Sequence, residues 1–149
     1  MIQRIQSIFL LLASASAFAL LAVPFGTTTE PVAESAIYMD SVYNIQDNIG
    51  LLVLFCVAGA LAFASIFMFK NRKSQLIVGR LAIVANIIGF ILVIVFYVNN
   101  GAELKGLSVN DQENYFGFSL PLIFLVFAIL AQRAISKDDE LVRSSDRLR

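Results

Sequence analysis

Four apolar runs, at about residues 5–25, 49–69, 76–98 and 116–135, constrain this 149-residue chain more than any other feature. Each is close to the roughly 20 residues that a helix needs to cross the hydrocarbon of a bilayer. Inside lipid every backbone N–H and C=O must be satisfied within the segment, so runs of this kind are helices and not isolated strands. Together they occupy more than half the chain, which leaves short loops, a tail and no room for a separate soluble domain. Composition agrees: 58% of residues are hydrophobic and 15% charged, against about 45–50% and 25% in soluble domains. The sequence therefore predicts an all-α membrane protein. Its architecture is a four-transmembrane-helix bundle over residues 1–135, followed by a charged tail over 136–149.

Charge placement predicts the orientation. Ten of the eleven Lys and Arg residues fall on one side: Arg4, Lys70, Arg72, Lys73, Arg80, Arg133, Lys137, Arg143, Arg147 and Arg149. Only Lys105 lies on the other, together with Glu30, Glu34, Asp40, Asp47, Glu103, Asp111 and Glu113. Basic residues are retained on the cytoplasmic side, so four spans put both termini in the cytoplasm of a bacterial inner membrane and two longer loops outside. The run Ala13-Ser14-Ala15-Ser16-Ala17 imitates a signal-peptide cleavage site. The apolar stretch continues through Phe18 to Val23, which favours a retained first helix; cleavage would leave three.

Several classes of chemistry lack their residues. Histidine is absent and Cys56 is the only cysteine, which removes the commonest general base, the usual haem and metal ligand, and any disulfide within the chain. No cofactor or metal is expected. No Asp or Glu lies within a span, where a proton-coupled transporter would need a titratable group. With 11 basic and 11 acidic residues the net charge is zero, so there is no electrostatic footprint for nucleic acid.

Within the spans, one residue stands out. Asn86 lies on a row with Gly79, Ala82, Gly89 and Val93, spaced so that all share one helical face. Small residues let another helix approach closely, and an Asn there can bond across the contact; the rival reading is a residue lining a path. A second row, Cys56, Ala60 and Ala64 beside Gly59, reads as another packing seam. Arg80, one turn inside the membrane, can snorkel to the headgroups. Pro24 ends the first span and Pro121 falls in the first turn of the fourth, where a missing N–H is tolerated. Residues 71–75 make a tight hairpin between spans two and three. Residues 36–43 read either as a short strand or as an interfacial segment that holds Tyr38 and Tyr43 at headgroup level.

The tail mixes four acids with four bases, so it is not a simple polybasic patch. Ser136 and Asp139 have capping spacing for a new helical turn. Two readings compete: a solvated extension of the fourth helix, or a docking peptide. In the second, Leu141, Val142 and Leu148 are apolar anchors and Arg143, Asp146, Arg147 and Arg149 supply charge contacts.

The opening Met1-Ile2-Gln3-Arg4-Ile5-Gln6 before a Leu-rich span, and the ending from Lys137 to Arg149, resemble a four-helix inner-membrane family of Bacteroidota. That family is catalogued as domain of unknown function 4293. The resemblance covers the whole chain in length and span layout, while its specific motifs are these two ends. It implies an inner-membrane location, a retained first helix and no established activity. It also carries an association with gene neighbourhoods of the transcription terminator Rho, a pointer to Rho as partner. The expected function is a non-enzymatic membrane accessory or scaffold protein whose tail binds a protein partner. The rivals are a small transporter or channel-like homo-oligomer with Asn86 on its path, and a membrane subunit of a larger translocation or respiratory assembly.

Overall fold

The computed structural model describes residues 2–27, 39–101 and 116–147. Four helices account for most of them: α1 (Ile2–Ala19), α2 (Ile49–Phe67), α3 (Arg72–Gly101) and α4 (Phe116–Arg147). Between α1 and α2 lie β1 (Gly26–Thr27), β2 (Val42–Tyr43) and one turn of 3-10 helix, Ile45–Asp47. The helices form a ring in which α1 packs on α2 and, most extensively, on α4, while α3 completes the circle against α2 and α4.

One pattern of spacing builds the ring. A buried row on α1 runs Gln6, Leu10, Ala13, Ala17 and then Leu20 just past its end, with Ser14 and Ser16 buried beside it; one on α2 runs Leu51, Phe55, Ala58, Ala62 and Ser65, with Gly59 beside it. On α3 the row is Gln75, Gly79, Ala82, Asn86, Gly89 and Val93, and on α4 Gly117, Leu120, Phe124, Ala128, Ala131 and Ile135, with Pro121 buried beside Leu120. Steps of three and four alternate almost throughout. That 3.5-residue period is the seam of helices wrapping at a shallow left-handed angle, as in four-helix bundles.

Along the axis the core changes character. Leu20, Phe25, Tyr43, Ile45, Leu51, Phe55, Val93 and Leu120 form a bulky layer at the end that carries the strands. The middle is alanine-rich, with Ala13, Ala17, Ala58, Ala62, Ala82 and Ala128 around Phe124. Leu10, Ala131 and Ile135 close the end nearest the α2–α3 turn. With Ala at the seam the helices approach closely, the main source of packing energy where no hydrophobic effect operates between them.

The outside is as apolar as the inside. Ile8 and Leu11 on α1, Val53 and Phe67 on α2, Leu81 and Ile91 on α3, and Leu122 and Val126 on α4 are all exposed. An apolar collar around a whole bundle needs an apolar surrounding. Three helical stretches, Ile49–Phe67, Arg72–Asn99 and Phe116–Val142, are long and apolar enough to cross a membrane, and Ile5–Ala19 is a shorter apolar helix. The chain has the build of a membrane protein.

Four boundaries differ from the sequence expectation. The first helix ends at Ala19 and not near residue 25. A tight turn follows, with Leu21 N donating to Phe18 O and Val23 N to Ala19 O, and Pro24 has no N–H to continue a helix. The α2–α3 turn comes earlier than residues 71–75, because Asn71 caps α3 through Oδ1, which accepts from Ser74 N at 3.3 Å. Pro121 lies inside α4 and not at its first turn. Finally, α4 runs unbroken through the tail to Arg147, so Ser136 caps nothing.

Of residues 36–43, Val42 and Tyr43 take the strand form of the two expected readings. Gly26 pairs with Tyr43 and Thr27 with Val42 in an antiparallel ribbon. Tyr43 is fully buried, its ring 5.4 Å from that of Phe25 and its Oη donating to Val93 O at 3.2 Å. Tyr38 lies outside the described residues.

Candidate functional site

Two regions bring polar groups together: the seam of the bundle and the end where the α2–α3 turn meets the tail. In the seam each polar side chain donates to a main-chain carbonyl. Gln6 Nε2 reaches Ala134 O at 3.1 Å, Ser14 Oγ reaches Gly59 O at 3.1 Å, and Gln75 Nε2 reaches Ser65 O at 3.0 Å. Gln132 Nε2 donates to Leu76 O at 3.3 Å. Its amide lies where a Cβ on Gly79 would be, so Gly79 makes room for that bond. None of these groups is ionisable, and carbonyls already used by the helix are their acceptors. Such bonds fix register between helices; they do not move protons.

Asn86 belongs to this set. Fully buried, it donates Nδ2–H to Pro121 O on α4 at 3.1 Å. Its Oδ1 is buried and has no hydrogen-bond partner among the described residues. Gly79, Ala82, Gly89 and Val93 share its buried face, and the Phe55 ring lies 3.1 Å from where a Cβ on Gly89 would stand. The row Cys56, Ala60 and Ala64 does not lie in the seam: Cys56 is half-buried, and Ala60 and Ala64 face outward. Every residue of α2 between Leu51 and Ala64 is apolar or glycine, so residue size did not mark the inner face. Phe55 and Leu51, both large, occupy it.

At the strand end the turn before α2 is held by Asp47, whose carboxylate accepts from Asn44 N at 2.7 Å. Burial pushes this carboxyl up from its ordinary value and nearby Asp40 adds to the shift, while the Asn44 bond opposes it.

The turn end gathers the charges. Arg72 at the start of α3 bonds Asp138 on α4 at 2.8 Å, both side chains largely covered. From Asp139 to Arg147, α4 runs on past this bridge, about 13 Å of helix at 1.5 Å per residue. Leu141 and Val142 are exposed there. Arg143, Asp146 and Arg147 lie on the same helix, while Leu148 and Arg149 fall outside the described residues. Beside the bridge, a groove of about 640 Å³ opens between α3 and α4, lined by Arg80, Ile83, Gln132, Arg133, Ser136, Lys137 and Glu140. Sequence reasoning named Arg80 as an isolated anchor. It missed the groove because Arg80 and Arg133 are 53 positions apart and only the register set by Gln132 and Leu76 brings them together.

A family model described as "Domain of unknown function (DUF4293)" matches residues 2–148, nearly the whole chain. The chain belongs to the DUF4293 family. The match runs across all four helices, so the bundle, its strand ribbon and the helical tail are one family unit. No curated protein and no solved structure matches this DUF4293 chain.

Proposed function

We propose that this DUF4293 protein is a non-enzymatic accessory or scaffold protein of the bacterial inner membrane, and that its projecting α4 helix docks a cytoplasmic protein partner. The observation that carries the reading is the length of α4. A helix that only needed to cross the bilayer would end near the Arg72–Asp138 bridge. This one continues to Arg147 with Leu141 and Val142 exposed among charged residues, the arrangement of an anchor ringed by polar contacts.

The remaining parts support it. The apolar collar surrounds all four helices. α1 has 18 residues, about 27 Å of helix, and the turn that follows brings the first segment to the roughly 30 Å of the hydrocarbon. The clustering of Lys and Arg at the turn end favours a cytoplasmic location for that end and for both termini. Seam polar groups bonded to main-chain carbonyls suit a rigid support. A transporter reading rests on one observation, the Oδ1 of Asn86 without a partner among the described residues, but Asn86 is fully buried and bonded to Pro121 O across the α3–α4 contact.

The test is a mild-detergent purification of the full-length protein from its native membrane, beside a variant ending at residue 138. A stoichiometric partner is expected with the first and not with the second, with both equally inserted. Identical profiles from the two would overturn the docking role.

A further inference from the structure

We propose that the groove between α3 and α4 is a binding site for the phosphate headgroup of an anionic phospholipid. It needs the bundle to lie in a membrane, and it is independent of whether the tail docks a partner.

The groove collects three cations, Arg80, Arg133 and Lys137, against one carboxylate, Glu140. All three cations are exposed, and none forms an ion pair among the described residues; the nearby Asp138 is engaged by Arg72. Three cations around one space against a single carboxylate leave a net positive charge there, and an anion relieves their mutual repulsion.

Helix geometry explains why they converge. Side chains lean toward the N-terminus of their own helix. Arg80 on α3 therefore leans toward the turn end, while Arg133 and Lys137 on the antiparallel α4 lean away from it. Residues from levels of the bundle a turn or more apart thus meet in one groove. Gln132 and Ser136 line the same space, and the Ser136 hydroxyl adds an uncharged donor.

The surroundings select a lipid over a soluble anion. On the bilayer side the same faces become apolar: Ile83 lines the groove, Ile87 is exposed one turn further along α3, and Ile129 and Val126 are exposed above Arg133. A headgroup phosphate bound by the cations would lay its acyl chains along these residues. Basic residues at this depth attract anionic lipids in general; here the groove fixes the position of one molecule. The balance of three cations to one carboxylate suits a headgroup with a single phosphate.

The chain contains no Trp, so one introduced indole reports its site alone. Ile83→Trp places the reporter in the groove, and Val53→Trp places a control on the exposed face of α2. Each variant is reconstituted in phosphatidylcholine vesicles containing brominated phosphatidylglycerol, and fluorescence quenching is measured. Brominated anionic lipid is expected around the groove reporter at about three- to tenfold its bulk fraction, and around the α2 control at its bulk fraction. Substituting Arg80→Gln, Arg133→Gln and Lys137→Gln together should return the groove reporter to the bulk value. Equal quenching at the two positions would overturn the proposal, whether or not the triple variant folds. So would loss of the signal on adding soluble glycerol phosphate, which would assign the groove to a free phosphate.

Discussion

Asn86 shows how a buried polar residue can contribute little net stability and still matter. Its donor makes a bond between helices worth about 0.6–2 kcal/mol. Its unpartnered Oδ1 costs roughly 1–3 kcal/mol, the usual penalty of a buried acceptor left unmade. The two nearly cancel. Asn86→Leu, which removes both and keeps the branching and heavy-atom count, is therefore expected to unfold within about 1 kcal/mol of the native protein in detergent. Asn86→Asp is expected to lose several, since an unpaired carboxylate would be buried there. A large loss with Leu would mean that Oδ1 has a partner of its own, such as a water or an ion on a path. What Asn86 supplies in the balanced case is specificity, because only one register of α3 on α4 brings its amide to Pro121 O.

Elements differ in how well their sequences describe them. On α3 the buried row was legible, because Gly79, Asn86 and Gly89 interrupt an otherwise apolar helix and so mark a face. On α2 nothing interrupts, and the inner row was invisible. The end of α1 was equally hidden: Leu20 to Val23 are as apolar as the helix before them, and only hydrogen bonding reveals the turn. The two-residue strands depend on pairing between distant residues, which hydropathy does not encode, whereas the continuation of α4 through a charged segment was one of the two readings the tail allowed. Contacts also rank the glycines. A Cβ on Gly117 would strike the Pro24 carbonyl, which is backbone and held between α1 and the ribbon. On Gly89 it would meet the Phe55 ring at 3.1 Å, which can tilt. Gly117→Ala is expected to cost about 1–3 kcal/mol in thermal or denaturant unfolding, and Gly89→Ala clearly less. The reverse order would mean that the α1–α4 contact yields more easily than the aromatic layer.

At the scale of the whole molecule, orientation is decided by one labelling experiment. In a Cys56→Ala background, Met39→Cys in the strand-end loop and Ser144→Cys on the α4 extension are both exposed. A membrane-impermeant maleimide added to intact spheroplasts is expected to label position 39 and to reach position 144 only after lysis. Labelling of 144 without lysis would invert the topology and place the tail outside. The ring has a further consequence in time. Neighbours along the chain, α2 and α3, can pair as soon as both are made, but α1 finds its most extensive contact in α4, and the Gln6–Ala134 bond spans 128 positions. At roughly 5–20 residues per second of synthesis, α1 waits many seconds for the helix that covers Gln6 and Ala13. During that interval its polar face depends on α2, on lipid, or on the insertion machinery, and the bundle closes only when its last helix is made.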